Sequence, residues 1–539
     1  MHDALTFQRT LFRRQQARIH RELGAPGGAF RRYQQRYRRR TASSTQVRTR
    51  EAVLSEALDA DVLFVGDYHT LPHAQGLFRE LFRHAGRGRR RVVLGLECIP
   101  SSQQPLLDAW QRGALDADAF FARLSQEVPD ALALWPSFRA LLTEAVALRL
   151  RIVPIDQASG GPRSLERRDA HAAGRLAEVL TEVPRPQVLV LAGQFHVTPC
   201  HLPASLSQRL GAGHGLQMRT LYQNCEQPWF ALQAAGLDPL RHGVTFEDGA
   251  LGVFSASPTL AQRTFLDYLE AGDEVLGSFA IDVHMQVPRM VLHLARMIGI
   301  HVPRAAREAL QVIPPGSGEA LLRLNARAVF NAREQTQLSR HLLEGHSLYV
   351  PRADTICLGS LSRHHAAEEA AHRLRHLAVG ARMEADRPRT DAFYARIWEE
   401  ALGFLGSRML HPERPCQGLA DWSGALRDEV GEARAIAAYV LSHKAMEMRE
   451  TPVPDALPPP RETGRFNAVT HALGYLLGDA LSRSWREGTL SRGTLRALFR
   501  DPLEQPFDLY LRWSRQLRTL QPRVADMADP AAPPARVSA

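Results

Sequence analysis

A chain of 539 residues is long enough to bury more than one hydrophobic core, so we expect two folded units with flanking segments. Its 45% hydrophobic and 23% charged residues are ordinary for a soluble globular protein. The net charge of +10 is concentrated in the first 50 residues, which contain thirteen arginines against Asp3 and Glu22, so the rest of the chain is close to neutral.

The five cysteines are odd in number and far apart, and no C-x-x-C motif occurs. This spacing argues against a zinc ribbon, a thioredoxin-type motif and covalent c-type haem, and it favours a reducing compartment. The N-terminus has no apolar signal-peptide region, and no run approaches the roughly 18 apolar residues needed to cross a bilayer. We therefore expect a protein that is cytoplasmic or peripheral to the membrane.

The basic N-terminal arm, residues 1–50, has a charge pattern of its own. Its first part predicts an arginine-rich helix that ends near Pro26, and a second basic run over residues 31–40 carries Tyr33 and Tyr37. A charge block with few aromatic residues need not fold, so we interpret the arm as a solvated, partly disordered extension whose removal leaves the fold intact. The alternative is contact with nucleic acid or an anionic membrane.

Residues 51–272 alternate short apolar runs with helical periodicity at about 73–85, 103–149 and 164–182. The apolar runs are Asp61–Gly66, Arg91–Glu97, Arg151–Asp156, Gln187–Gly193 and Gln217–Tyr222. Such runs, separated by helices, predict an α/β domain whose mostly parallel sheet is flanked by helices. A hairpin around Asp248 and Gly249 is expected at the domain edge.

Beyond residue 273 the strand signals almost vanish, and the pattern predicts a largely α-helical domain over residues 273–521. The predicted helices are 283–299, 303–311, 319–344, 362–384, 391–410, 422–449, 465–486, 491–499 and 506–520. Residues 522–539 are rich in Ala and Pro and predict a disordered tail.

Ionisable side chains follow four successive predicted strands at the points where the strands end. The first leads into the turn Gly66–His69, the second ends at Glu97, the third at Asp156, and the fourth leads into the turn Gly193–His196. The carboxyl ends of parallel strands meet at one edge, where ligands bind in open sheets. The glycine of each G-x-x-H turn permits close backbone approach. We therefore expect His69, Glu97 and His196 to converge there.

A carboxylate between two imidazoles suits a divalent metal ion, and it equally suits general acid/base chemistry on a bound substrate. The alternative is that His69, Glu97 and His196 are hydrogen-bonded structural groups at strand ends. Asp67 and Asp156 have a similar alternative, because Asp after a strand also forms ordinary turns and helix caps.

Several stretches resemble the ChaN-type haem-binding uptake proteins, which share a superfamily with Tiki and TraB proteins and are similar in outline to erythromycin esterase-like hydrolases. In chain order these are VLFVGDYHTLPHAQ (62–75), VVLGLECIPSSQQPLLDAW (92–110), LWPSFRALLTEAVALRLRIVPID (134–156), ERRDAHAAGRL (166–176) and VLVLAGQFHV (188–197). The resemblance covers about residues 51–230, and its most diagnostic parts are the two G-x-x-H turns and Glu97.

The resemblance implies two functions. ChaN-type members are haem-binding, bacterial iron-acquisition proteins, which implies a haem or metal-chelate site at the strand edge with Tyr68, His69 and His196 as candidate ligands. Tiki members are metal-dependent proteases, whose motif residues correspond to His69, Glu97 and His196. A catalytically inert scaffold or regulatory protein is a third alternative, and a homodimer is compatible with each.

Arg167 and Arg168 open the helix that follows the third predicted strand. A guanidinium at that position is expected to bind a propionate, another carboxylate or an oxyanion. One of the two is expected to be an ordinary surface arginine.

A second cluster lies in the helical half, where His365, Glu369, His372 and His376 are spaced along one stripe of a predicted helix. Glu369 and His372 form an E-x-x-H unit, as found in helical di-metal proteins, but those proteins need two such units and only one is present. We interpret the stripe as a polar or interface surface, and we give His471 less weight still.

Overall fold

The computed structural model describes residues 4–23, 28–157, 165–211, 213–271, 283–317, 330–380, 387–449 and 453–520, with 321, 323–325 and 328 between them. The predicted tail, 522–539, lies outside the described residues. Contacts divide the chain into two compact units: unit 1 comprises residues 1–283, 313–346 and 357–362, and unit 2 comprises residues 284–312, 347–356 and 363–539.

Unit 1 begins with two helices and continues as alternating strands and helices. Its strands are β1 (Gln46–Thr49), β2 (Val62–Asp67), β3 (Val92–Pro100), β4 (Arg151–Asp156), β5 (Gln187–Gly193), β6 (Met218–Gln223), β7 (His242–Thr245) and β8 (Leu251–Val253). Its helices up to residue 271 are α1 (Ala4–Leu23), α2 (Gly28–Arg40), α3 (Arg50–Leu58), α4 (Pro72–Ala85), α5 (Gln104–Gln111), α6 (Ala117–Glu127), α7 (Pro136–Ala147), α8 (Leu165–Leu180), α9 (Leu202–Leu210), α10 (Glu226–Ala234) and α11 (Pro258–Ala271). A further helix of this unit is Ala332–Leu343.

The eight strands form one sheet in the order β1-β7-β8-β6-β2-β5-β3-β4. Every pair from β8 to β4 is parallel, whereas β7 pairs antiparallel with both β1 and β8. The five strands predicted from apolar runs are therefore present, and the α/β fold class is confirmed. The hairpin predicted around Asp248 and Gly249 is formed by β7 and β8, and β1 rather than the hairpin forms the edge of the sheet. β1 was not predicted, because its four residues include a single apolar side chain, Val47, and therefore form no apolar run.

The central strands are buried on both faces, and successive side chains enter different cores. Leu63 and Val65 of β2 pack in a core with Phe78 of α4 and Phe138 of α7. Val62 and Phe64, which alternate with them along β2, pack in a second core. That core also contains Leu176 of α8 and Leu206 of α9. Burial on both faces explains the continuous apolar runs, and it leaves the strand ends as the place for polar chemistry.

The N-terminal arm is folded, which corrects the expectation of a solvated, partly disordered extension. Four of its apolar and aromatic side chains are buried, each at most 5% exposed: Phe7, Leu11, Tyr33 and Tyr37. They recur at helical spacing on α1 and α2, so the arginines occupy the remaining positions and dominate the composition. The helix predicted in the first part of the arm is present as α1, whereas α2 and the burial of an apolar face on both helices were not predicted.

Unit 2 is built mainly of helices, as predicted for the C-terminal half. They are Val283–Ile298, Arg304–Ala309, Arg363–Val379, Arg389–Leu410, Leu419–Asp428, Gly431–Met448, Val453–Ala456, Thr463–Arg486, Arg492–Arg500 and Pro506–Leu520. Three short strands, Gln311–Ile313, Leu348–Val350 and Thr355–Cys357, form a small sheet that the sequence pattern did not predict. None of the helices in the described segments is both long and apolar enough to cross a membrane.

The helix Arg389–Leu410 lies in the core of unit 2, with Trp398 fully buried. Its neighbours approach closely through glycines. A Cβ on Gly474 would lie 2.4 Å from the Cβ of Glu400, and one on Gly406 would lie 2.5 Å from the Cβ of Ala371. These positions therefore require glycine for close helix–helix contact.

Candidate active site at the carboxyl ends of the strands

The predicted residues meet beside Gly193, the last residue of β5. A Cβ placed on Gly193 would lie 3.5 Å from Glu97 Oε2, 3.5 Å from His69 Nε2 and 3.6 Å from His196 Cδ2. His69 and His196 follow β2 and β5, which are neighbours in the sheet, and Glu97 comes from β3 on the other side of β5. The structure thus brings His69, Glu97 and His196 together at one edge.

Glu97 does not end its strand as expected. β3 continues to Pro100, and its regular pairing with β4 shifts between Leu96 and Pro100. Such an irregularity redirects a side chain that would otherwise follow the alternation of the strand. The carboxylate of Glu97 then accepts a hydrogen bond from the backbone N–H of Gly193 at 2.5 Å and one from Arg168 at 2.6 Å.

His69 is held by Asp67, whose Oδ2 lies 2.8 Å from its Nδ1. The other oxygen of Asp67 accepts a hydrogen bond from Gln75 at 2.6 Å. Burial lowers the pKa of His69, but the hydrogen bond and charge of Asp67, together with Glu97, raise it to about 9. The raised pKa favours the protonated ring, whose Nε2–H faces the cavity as a donor, and a metal ion would bind at Nε2 by displacing that proton.

His196 has a similar arrangement, with Asp169 Oδ1 2.5 Å from its Nδ1. Asp169 Oδ2 accepts a hydrogen bond from the hydroxyl of Tyr33 on α2 at 2.8 Å, and Tyr33 stacks on His201. Burial lowers the pKa of His196, whereas the charge of Glu97 and the hydrogen bond of Asp169 raise it. The N-terminal arm therefore supplies part of the support of a site histidine.

Glu97 is ionised across the physiological range. Burial raises its pKa, but the nearby charges of His196, His69 and Arg168 lower it to about 2. The Oε1 atom lies 3.8 Å from His196 Nε2, and Arg168 also donates to Asp156 at 2.9 Å. The charge of Glu97 is thus stabilised by the guanidinium of Arg168 and by the imidazoles of His69 and His196.

A cavity of about 630 Å³ opens over these residues. One wall is apolar and is formed partly by the N-terminal helices, with Phe12, Ile19 and Phe30. The remainder of the wall includes further aromatic residues, two arginines from α2 and α8, and ionisable side chains near the strand ends. They are Tyr68, Trp135, Phe195, Phe265, Tyr268, Arg38, Arg168, Glu97, His69 and His196. A pocket of this size, with a largely apolar lining and a few polar groups, is typical of a small-molecule or cofactor site.

The predicted arginines have different positions. Arg168 lines the cavity and contacts Glu97 and Asp156, whereas Arg167 is exposed and is not part of the cavity wall. Tyr68 lines the cavity, and burial, followed by the charge of Glu226, raises its pKa well above the usual value. Its phenol is therefore neutral at physiological pH when no ligand is bound.

Two supporting residues were missed from the sequence. Asp169 directly follows Arg168, and nothing in the sequence pattern relates it to His196. Tyr33 had a recognisable signal, because Phe30, Tyr33 and Tyr37 recur at helical spacing within the basic run. That spacing indicates a helix face turned toward a core.

The histidine stripe of the helical half is only partly a cluster. Glu369 Oε2 lies 3.1 Å from His372 Nδ1, and His365 and His376 are half-buried elsewhere on the same helix. Among the described residues, one group of three has ligand atoms within 4.8 Å of one another, and it consists of Glu368, Glu400 and His471. His69, Glu97 and His196 do not form so tight a group.

The match to a family model lies within the first unit. Residues 53–160 match the family model described as "Haem-binding uptake, Tiki superfamily, ChaN". This match includes His69 and Glu97 and stops before Arg168, Gly193 and His196. No curated protein matches the chain.

Two solved structures are similar in part. One is ChaN of Campylobacter jejuni, from a structure of cofacial heme binding, with 14% identity over 32% of this chain and 85% of that chain, at a TM-score of 0.25. The other is the type III effector HopBA1, with 14% identity over 39% of this chain and 97% of that chain, at a TM-score of 0.27. The family match over residues 53–160 confirms the resemblance of this part of unit 1 to the ChaN-type haem-binding uptake proteins of the Tiki superfamily.

Proposed function

We propose that unit 1 binds haem, or a closely similar large planar ligand with carboxylate groups, in the cavity at the carboxyl ends of β2, β3 and β5. The observation that carries the proposal is the size and lining of that cavity. About 630 Å³ bounded by aromatic and aliphatic side chains suits a large apolar ring system. The family model that residues 53–160 match is described by haem binding.

The donor set at the base of the cavity fits such a ligand. His69 and His196 each hold a carboxylate at Nδ1, which fixes the ring and leaves Nε2 for iron, as second-shell carboxylates do in many metal proteins. The space that a Cβ on Gly193 would fill lies between these groups. Arg168 and Arg38 line the same cavity and would bind carboxylates of the ligand.

The experiment is a titration of the full chain with ferric haem, followed by its absorbance spectrum. We expect saturable binding, with the affinity lowered at least tenfold in His69→Gln or His196→Gln, a loss of about 1.4 kcal/mol. His84→Gln is the matched control, because His84 is exposed on α4. Equal affinity in all four proteins, or no saturable spectrum, would refute the proposal.

A metal-dependent hydrolase of Tiki type is the second candidate. The two imidazole–carboxylate pairs favour it, because each presents a defined Nε2 beside the carboxylate of Glu97. The ion pair from Arg168 to Glu97 weighs against it, since the guanidinium occupies one oxygen of the candidate ligand or base. Metal-stimulated cleavage of peptide or ester substrates that is lost in Glu97→Gln would support this alternative over haem binding.

A further inference from the structure

Three helices of unit 2 bring two glutamates and a histidine together. Glu368 lies on Arg363–Val379, Glu400 on Arg389–Leu410 and His471 on Thr463–Arg486. One ligand atom from each lies within 4.8 Å of the other two. The helices approach closely at Gly403 and Gly474, and this short separation brings the three side chains together.

The two carboxylates are buried and are oriented by other side chains. Glu368 Oε2 accepts hydrogen bonds from Arg414 at 2.8 Å and from the hydroxyl of Tyr475 at 2.7 Å. Glu400 Oε1 lies 2.6 Å from Arg396. In each glutamate, one carboxylate oxygen is thus held by side chains outside the group of three. Hydrogen bonds of this kind orient the carboxylates that bind metal ions in other proteins.

Both carboxylates are ionised despite their burial. Burial raises the pKa of Glu368, but the charge of Arg414 lowers it below the usual value. Burial likewise raises the pKa of Glu400, and the charge of Arg396 with the hydrogen bond of His471 lowers it. Two negative oxygens so close together repel unless a positive charge lies between them.

His471 now supplies that contact, with its Nδ1 2.9 Å from Glu400 Oε2. Its side chain is about half exposed, so an ion can reach the group from solvent and replace the imidazole proton. Arg396 is also 44% exposed, and its guanidinium can move outward when a cation arrives. Arg414, at 5% exposure, remains as the buried support of Glu368.

We propose that Glu368, Glu400 and His471 bind one first-row divalent transition-metal ion, and that this ion ties three helices of unit 2 together. Two carboxylates and one imidazole are a donor set of the kind that Zn²⁺ and Mn²⁺ accept, with solvent completing the coordination. The proposal is independent of haem binding in unit 1, since none of its residues lies in that unit.

The test uses the full chain carrying His69→Gln and His196→Gln, so that the imidazoles of unit 1 do not contribute. Zn²⁺ alone is the probe, and bound zinc is measured by equilibrium dialysis. We expect one bound ion per chain, and an affinity at least tenfold lower after adding His471→Gln or Glu400→Gln. His301→Gln and Glu432→Gln, both at exposed positions of unit 2, are the matched controls and should bind zinc as the parent does.

A second measurement guards against a variant that fails to fold. Binding to the folded state stabilises it, so zinc should raise the unfolding temperature of the parent and not that of His471→Gln. His471 is half exposed, so its replacement should leave the helices folded without zinc. The proposal is overturned if the parent binds no zinc, or if His471→Gln and Glu400→Gln bind it as tightly as the controls do.

Discussion

At the scale of single residues, each of the two site histidines is oriented by a buried carboxylate. Asp67 and Asp169 each contact the Nδ1 of one imidazole, and both carboxylates are nearly fully buried. A buried carboxylate against an imidazole raises the pKa of the imidazole and orients its other nitrogen. The positions of the two rings are therefore set before any ligand binds.

Replacing Asp67 with Asn should lower the pKa of His69 from about 9 toward its ordinary value, because the hydrogen bond and charge of Asp67 oppose the effect of burial. An NMR titration of the His69 ring measures this directly. A raised pKa stabilises the fold fully below the unfolded-state value of about 6.5, and this contribution is lost as the pH rises toward 9. Asp67→Asn should therefore flatten the loss of stability of unit 1 between those two pH values. An unchanged His69 pKa would show that another group sets it.

Replacing Tyr33 with Phe should lower the stability of unit 1 by about 1–3 kcal/mol, because buried Asp169 loses a hydrogen-bond donor while the stacking on His201 is kept. Native-state hydrogen exchange of unit 1 measures the change. Tyr268→Phe is the matched control, since its hydroxyl bonds to none of the described residues. Equal protection in both variants would contradict the role assigned to Tyr33.

At the scale of elements, strands with a regular apolar pattern could be predicted from the sequence. Features that depend on contacts between distant segments could not. β2 and β5 were predictable because burial on both faces requires continuous apolar runs. The irregular end of β3 around Glu97 was not, because a shift in strand pairing leaves no residue pattern. β1 was missed because its pairing with β7 involves residues about 200 positions apart.

The same distinction between sequence pattern and tertiary contact applies to the site residues. The G-x-x-H turns follow recognisable strands and Glu97 ends an apolar run, so their meeting was predictable from parallel topology, although β3 itself continues beyond Glu97. Asp169 and Tyr33 come from a helix after β4 and from the N-terminal arm. Only packing brings them to His196.

Deleting residues 1–42, which removes α1 and α2 and keeps β1, should destabilise unit 1 and open the cavity. Each buried apolar side chain lost contributes about 1.5–3 kcal/mol, and several are lost together. We expect a lower unfolding temperature and weaker hydrogen-exchange protection in α8 and α11. A truncated chain that unfolds like the full chain would restore the view that the arm is a dispensable extension.

At the scale of the whole molecule, positive charge is concentrated in the arm even though the arm is folded. Arg40 contacts Asp248 and Arg32 lies near Glu166, but Arg31, Arg36 and Arg39 are exposed. Exposed cations of this kind bind polyanions through the release of counterions, which makes the binding sensitive to salt.

Replacing Arg31, Arg36 and Arg39 with Gln should therefore lower the salt concentration at which the full chain elutes from a heparin column. The matched control replaces three exposed arginines of unit 2: Arg304, Arg427 and Arg434. If both triple variants shift elution equally, net charge rather than the arm governs the binding.

The central claim is that the space beside Gly193 holds the ligand of unit 1, and Gly193→Ala tests it most directly. The added methyl would meet its neighbours at ordinary contact distances of 3.5–3.6 Å, so the variant should fold, whereas a methyl on Gly66 would lie 1.9 Å from the side chain of Gln194 and should destabilise the sheet. Titration of Gly193→Ala with ferric haem should show at least tenfold weaker binding at wild-type stability. Wild-type haem affinity in a fully folded Gly193→Ala protein would contradict the account.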